Sequence, residues 1–339
     1  MMQEILKKCI EGETLTQYEA EHVMNEFMEG KIPDSQIASM ITILRFRGET
    51  VEELIGFTKA MRRHMKPIEG LEDVIDTCGT GGDGASTFNI STASAIVSSS
   101  LGVKVAKHGN RAVSSKSGSA DVLEYLNIPI QSSPEEAVEA IKNTNMSFLF
   151  APLYHSSMKH VARTRKEIGF RTIFNILGPL VNPARTKRQV IGVYSHHYAK
   201  KMAEALKESH SEHVLFVTGK DGLDEMTITA ETDVIELKNG NIQSYRISPE
   251  QFGLSRGKIE DIQVMNVKES AHLIEKVFRN QGNESARNII ALNAAAALYV
   301  SGKVCSLHEG VEVSLQALKD GIVYKYFQAL QTRKEEQYA

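Results

Sequence analysis

The sequence predicts an α/β protein, with a small N-terminal helical domain followed by a larger domain whose mainly parallel sheet is covered by helices. Three observations carry this expectation. The first 65 residues show amphipathic helical periods and no strand-like alternation. After Pro67, short β-branched apolar runs alternate with helical periods, the pattern of parallel strands joined by crossover helices. A length of 339 residues corresponds to roughly two domains at about 150 residues each. The boundary is set at residues 1–66 and 67–339.

Thr16 and Thr50 are each followed three residues later by Glu, at positions 19 and 53, and so open helices through capping boxes. Gly30 and Gly48 sit where helices end. Between them Pro33-Asp34-Ser35 starts a helix whose buried stripe is Ile37, Met40, Ile41 and Leu44. These stripes pack on each other or on a partner subunit. Val74-Ile75 reads as a strand end, 91–101 as a helix, 103–106 as a strand and 119–126 as a helix. Ser133-Pro134-Glu135-Glu136 opens a further helix, with Pro at its first position. Residues 148–150, 190–193 and 214–217 read as strands, the last two flanking a helix at 198–208. The pattern is indistinct from Leu254 to Gly282, and two helices near 286–301 and 309–333 close the chain.

Hydrophobic residues make up 42% and charged residues 24%, near the globular average, which argues against a disordered or collagen-like chain. Lys+Arg number 39 against 42 Asp+Glu, a net charge of −3, so no global attraction draws the chain to nucleic acid or an anionic membrane. Cys9, Cys78 and Cys305 lie far apart, which disfavours a disulfide framework or a zinc site. Residues 1–10 are charged and lack the apolar core of a signal peptide. The most apolar stretch, Ile289 to Val300, carries Asn293 and is too short to span a bilayer. A cytoplasmic protein is expected.

Four segments carry chemistry. Asp76-Thr-Cys-Gly-Thr-Gly-Gly-Asp-Gly84 matches the GxGxxG spacing at Gly79, Gly81 and Gly84. The acid that a dinucleotide site needs about 20 residues on is missing, since Lys104 and Lys107 stand there, and the helix opens late, after Ser86-Thr87-Phe88-Asn89. No Gly-Lys-Ser/Thr follows to make a Walker loop. What remains is a run of backbone N–H groups near a helix N-terminus, an anion or phosphate cradle. A plain tight turn needs one glycine rather than four in six residues. The second segment, residues 107–119, offers Lys107, Arg111 and Lys116 with hydroxyl and amide side chains; it is either a solvated connection or a second phosphate loop. The third, Asp221-Gly222-Leu223-Asp224-Glu225, places adjacent carboxylates on a loop, by itself most often a solvated turn but able to hold a hard cation beside phosphate oxygens. The fourth is a basic stretch at 159–188, with eight Lys/Arg against Glu167. It suits a small anion or nucleic acid, or is a solvated helix face.

Together these segments resemble anthranilate phosphoribosyltransferases. The resemblance rests on 76–84, on Thr87-Phe-Asn-Ile-Ser-Thr92, and on Lys107-His-Gly-Asn-Arg111 running to Ser115-Lys-Ser-Gly-Ser-Ala-Asp121. It extends through Phe150-Ala-Pro152, Tyr154-His155, Arg171-Thr-Ile-Phe-Asn175, Leu177-Gly-Pro-Leu180, Asn182-Pro183 and 221–225. Ser156 stands where many members have Pro, and Thr218 where many have His.

The resemblance implies a nucleoside phosphorylase/phosphoribosyltransferase-like fold and a homodimer paired through the helical domain, with a later segment near 160–185 packing on it. It implies transfer of the phosphoribosyl group of phosphoribosyl pyrophosphate to anthranilate in tryptophan biosynthesis, with two magnesium ions and no nucleic acid or membrane partner. Carried over residue by residue, it assigns phosphoribosyl pyrophosphate to Gly79, Gly82, Asp83, Thr87, Asn89, Ile90, Ser91 and Thr92. The same ligand falls to Lys107, His108, Gly109, Asn110, Arg111, Ala112, Val113, Ser114, Ser115 and Ser119. Anthranilate falls to Gly79, Asn110 and Arg165, and magnesium to Ser91, Asp224 and Glu225. Lys107 would stabilise the leaving group, and no general base is assigned, because an aromatic amine is already unprotonated at neutral pH. Two other readings remain, a pyrimidine nucleoside phosphorylase of the same fold and a non-enzymatic relative that binds nucleic acid through 159–188.

Overall fold

The computed structural model describes residues 2–112 and 116–337. Four helices open the chain: α1 (Met2–Ile10), α2 (Gln17–Met28), α3 (Asp34–Arg47) and α4 (Val51–His64). The capping boxes at Thr16 and Thr50 form as expected, each hydroxyl accepting from the Glu three residues on while that Glu accepts from the cap backbone. Each such cap contributes about 1 kcal/mol. Gly30 and Gly48 follow α2 and α3 with positive φ.

The sheet has seven strands in the order β3-β2-β1-β4-β5-β6-β7. These are β1 (Ile75–Gly79), β2 (Val105–Gly109), β3 (Met146–Phe150), β4 (Arg188–Gly192), β5 (His213–Gly219), β6 (Thr232–Lys238) and β7 (Asn241–Ile247). The pairs β1–β2, β1–β4, β2–β3 and β4–β5 are parallel. The β5–β6 and β6–β7 pairs are antiparallel. The β6–β7 hairpin was not expected from the sequence. Its turn is Asn239-Gly240, both with positive φ, the combination a tight hairpin turn requires.

Strand alternation divides the core. On β5, Leu215 and Val217 face the C-terminal helices, whereas Val214 and Phe216 join the cluster that contains α1–α4. That second cluster also takes in Val161, Ile173, Phe174, Ile176, Leu177, Leu180 and Val181, so the segment near 160–185 packs against the N-terminal helices.

Several expectations need correction. Strand β1 runs through Asp76 to Gly79, so the glycine-rich segment begins inside the sheet rather than after it. The indistinct stretch holds a helix at Val267–Phe278, capped by Asn266. Three helices rather than two close the chain, at Glu284–Ser301, Leu307–Lys319 and Ile322–Gln337. The break between the last two falls at Gly321, with φ +73°. No described helix is long and apolar enough to cross a membrane.

Candidate active site

The chain crosses from β1 toward β2 in one direction and from β4 toward β5 in the other, so β1 and β4 flank the point where strand order reverses. In open α/β sheets the crevice beyond the carboxyl ends of such strands is the ligand site. Here those ends are Gly79 and Gly192, paired in register.

Both positions need glycine because a third segment crosses over them. A Cβ on Gly192 would lie 1.6 Å from the Asp224 carbonyl oxygen, and one on Gly79 would lie 2.8 Å from Asp224 Oδ2. The β5–β6 connection is thereby pressed onto the two strand ends. Gly81 then donates its backbone N–H to Asp224 Oδ2 at 2.8 Å. Thr80 donates its N–H to the Gly192 carbonyl at 2.9 Å, and Tyr194 donates its N–H to Thr80 Oγ1 at 3.2 Å. Gly81, Gly82 and Gly84 all have positive φ, and Asp83 Oδ1 accepts from the Ala85 N–H at 3.1 Å.

The second segment is not one loop. Lys107, His108 and Gly109 belong to β2, and Lys107 is 1% exposed. Its ammonium donates to the Thr77 carbonyl and to Ser91 Oγ at 3.3 Å. Burial pulls the Lys107 ammonium below its ordinary value, and the Asp76 carboxylate draws it back. Asp76 is fully buried. Its carboxylate accepts from the His108 N–H at 3.0 Å and from Asn182 Nδ2 at 2.7 Å. Asn182 also donates to the Ala106 carbonyl. Asp76 and Asn182 are thus pins that hold β1, β2 and the 173–184 segment together.

Burial raises Asp224, with the charge of Asp83 adding to it. Burial and the Asp224 charge raise Glu225, against the pull of Lys107 and the Ser91 backbone. Ser91, Lys107, Asp83, Asp224 and Glu225 are therefore within electrostatic reach of one another. The Asp83, Asp224 and Glu225 carboxyl groups oppose one another's charge, with Lys107 drawing on Glu225 alone, and a divalent cation would relieve that repulsion. Among the described residues no group of three or more His, Cys, Asp or Glu stands ready to hold a metal alone.

Asn89 stands immediately before α5 (Ile90–Ser100) without capping it through its side chain. Its side-chain amide donates to the carbonyl and hydroxyl oxygens of Ser117 at 3.0 and 3.2 Å, tying the two segments together. Thr87 forms a β-bridge with Gln263. Ile90 is buried in the core, so its part in any ligand contact is backbone. Thr92 is fully buried, and its hydroxyl has no hydrogen-bond partner. Ser119 donates to the Asn110 carbonyl at 3.2 Å.

Arg111 has acidic partners that the sequence reading did not name. Its guanidinium is bound to Asp121 and Glu124, each at 2.8 Å, and the Ala112 N–H donates to Asp121. These surface pairs join the arginine to α6 (Ser119–Tyr125). Val113, Ser114 and Ser115 lie outside the described residues.

Gly79, Asn110 and Arg165 stand on three separate elements, and no hydrogen bond joins them. Arg165, on the helix Lys159–Ile168, lies over the Phe174 ring at 5.0 Å. His108 and His155 are buried with their rings 5.1 Å apart, and the Nε2 of each has no partner. Burial holds His108 down to about 3 and His155 to about 4, so both are neutral at physiological pH. The basic stretch is dispersed. Arg163 pairs with Glu167, and Lys187 and Arg188 both pair with Glu212, so these three charges have acidic partners close by.

Two family models match the chain. "Glycosyl transferase family, helical bundle domain" covers residues 3–65, and "Glycosyl transferase family, a/b domain" covers 71–324. An anthranilate phosphoribosyltransferase of Geobacillus sp. (strain WCH70) is 61% identical, the match covering 100% of both chains. The crystal structure of the anthranilate phosphoribosyltransferase of Thermus thermophilus is 38% identical with a TM-score of 0.90, covering 97% of this chain and 99% of that one. The Saccharomyces cerevisiae anthranilate phosphoribosyltransferase in complex with PRPP and Mg is 25% identical with a TM-score of 0.89, covering 99% of this chain and 98% of that one.

Proposed function

The chain belongs to the anthranilate phosphoribosyltransferase family, and on that footing we infer that it joins anthranilate to phosphoribosyl pyrophosphate. The 5-phosphoribosyl group passes to the anthranilate amino group, and pyrophosphate leaves. The observation that carries this reading is the convergence of Gly81, Lys107, Ser91, Asp224 and Glu225 at the ends of β1 and β4.

Cleavage of the ribose C1–O bond leaves an oxocarbenium-like sugar and a highly charged leaving group, so catalysis consists of positioning and charge neutralisation. The backbone N–H groups of 79–84 and the N-terminus of α5 provide fixed donors. Lys107, held in a dry interior by Thr77 and Ser91, provides a preorganised positive charge beside the leaving group. Ser91, Asp224 and Glu225 would hold magnesium, taken here as two ions, whose charge would neutralise these carboxylates together with the diphosphate oxygens. Gly79, Asn110 and Arg165 hold anthranilate, with the guanidinium fork of Arg165 taking the carboxylate. His108 and His155 are neutral walls. No base is needed to activate the aromatic amine.

The functional unit is a homodimer paired through α1–α4. Phe46 is 94% exposed and Tyr18 79%, with Ile10 at 71%, and a partner subunit packed on these helices would cover them. Three free cysteines fit the reducing cytoplasm.

The test is direct. Anthranilate is fluorescent, and its signal should fall on adding phosphoribosyl pyrophosphate with magnesium and persist with EDTA. A folded protein that leaves anthranilate untouched but phosphorolyses thymidine or uridine would reverse the assignment.

A further inference from the structure

Arg171 is a cation of the basic stretch that ion pairing does not account for. Among the described residues it makes neither a hydrogen bond nor an ion pair. It is half-buried, and its guanidinium rests over the Tyr194 ring at 4.5 Å. A Cβ on Gly82 would lie 2.7 Å from Arg171 Nε, so the side chain presses against the glycine-rich loop, and the lack of a side chain on Gly82 makes that approach possible. Two independent links fix this placement. The Tyr194 N–H donates to Thr80 Oγ1 inside the same loop, so the ring beneath the arginine moves with the loop. On the other side, the Thr172 N–H donates to Asn175 Oδ1 at 3.1 Å, anchoring the backbone next to Arg171 at the start of the helix Ile173–Leu177.

We propose that Arg171 is a further pyrophosphate-binding residue, its planar fork engaging the diphosphate of phosphoribosyl pyrophosphate across Gly82. The inference rests on the reading of 79–84 as the diphosphate cradle and extends it. An arginine that is stacked on a ring, shielded on one face and lacking a carboxylate partner keeps its donors available, and the fork matches two phosphate oxygens. Its charge adds to that of Lys107 from a different element, so the leaving group is met from the sheet interior and from the loop above. Arg165, six positions earlier, serves the other substrate.

Inorganic pyrophosphate with magnesium is the probe, titrated calorimetrically into the intact protein. Arg171→Ala should weaken pyrophosphate binding about tenfold, the size of one lost hydrogen bond to a charged group. It should raise KM for phosphoribosyl pyrophosphate similarly and leave KM for anthranilate within about twofold. Arg171→Lys should recover part of the loss. Tyr194→Leu, which removes the supporting ring, should weaken pyrophosphate severalfold and serves if the alanine variant misfolds. Unchanged pyrophosphate binding in a folded Arg171→Ala protein, or equal losses for both substrates, overturns the role of Arg171. Failure of the wild-type protein to bind pyrophosphate with magnesium would instead overturn the reading of the loop itself, and the inference with it.

Discussion

The carboxylate of Asp224 accepts a hydrogen bond from the backbone N–H of Gly81 at 2.8 Å, joining the β5–β6 connection to the glycine-rich loop across 143 residues of sequence. The carboxyl groups assigned to magnesium and the backbone assigned to diphosphate are therefore one assembly. Asp224→Asn combined with Glu225→Gln should reduce kcat/KM by at least about a hundredfold (about 2.7 kcal/mol of transition-state stabilisation) and flatten its magnesium dependence. A magnesium titration of initial rate decides this; an unchanged half-saturation would remove both residues from the metal site.

Gly192→Ala places a methyl group where the Asp224 carbonyl stands, 1.6 Å from its oxygen. The connection has to move, at a cost of about 1–3 kcal/mol for overpacking. Urea denaturation should show that loss, and activity should fall further than stability alone explains because Asp224 is displaced. A variant with wild-type kcat/KM would show that the strand ends tolerate separation.

Arg165→Ala should raise KM for anthranilate about tenfold or more, since a charge-assisted pair is lost, and leave KM for phosphoribosyl pyrophosphate nearly unchanged. Initial rates with each substrate varied in turn separate the two. Equal losses for both would take Arg165 out of the anthranilate site.

The buried His108–His155 pair sets an acid limit on stability. Burial depresses both rings, to about 3 and about 4, against about 6.5 in the unfolded chain. Below about pH 6.5 the unfolded chain takes up protons that the folded one refuses. Stability present above that pH is therefore lost as pH falls toward 4, by about 2 kcal/mol per ring at pH 5. The fall in melting temperature between pH 7 and pH 5 should be smaller in His155→Asn than in the wild type. Equal falls would show that the ring titrates normally in the folded protein.

Phe46→Asp should convert the proposed dimer to a monomer, because a charge at a 94% exposed apolar position opposes burial in an interface. Light scattering after gel filtration reads the mass. A wild-type protein already monomeric at micromolar concentration would refute the pairing.

Much of this architecture was legible where signals are local. The capping pairs Thr16–Glu19, Thr50–Glu53 and Ser133–Glu136 are three residues apart and form as their spacing requires. The Asn239-Gly240 turn was equally local, but the charged residues of β6 and β7 obscured the strands on either side. Lys107-His108-Gly109 looked like a polar loop, because nothing in a linear sequence shows that Asp76, Thr77 and Ser91 make room for a lysine inside the sheet. Arg111 read as a free cation; the acids that bind it, 10 and 13 residues on, come near only once α6 folds back. Arg171 opens the stretch Arg171-Thr-Ile-Phe-Asn175, where nothing local marks it out, since its meaning comes from Tyr194 and Gly82.

The crossing of Asp224 over Gly79 and Gly192 also fixes when the site is born. Helix caps close over a few residues and need only short loops. The contact between residues 81 and 224 closes a far larger one, and it waits for β4 and β5 to align beside β1. During refolding, helical circular dichroism should return first and catalytic competence last. A chain emerging from the ribosome carries its glycine-rich segment exposed and inert until more than a hundred further residues have followed.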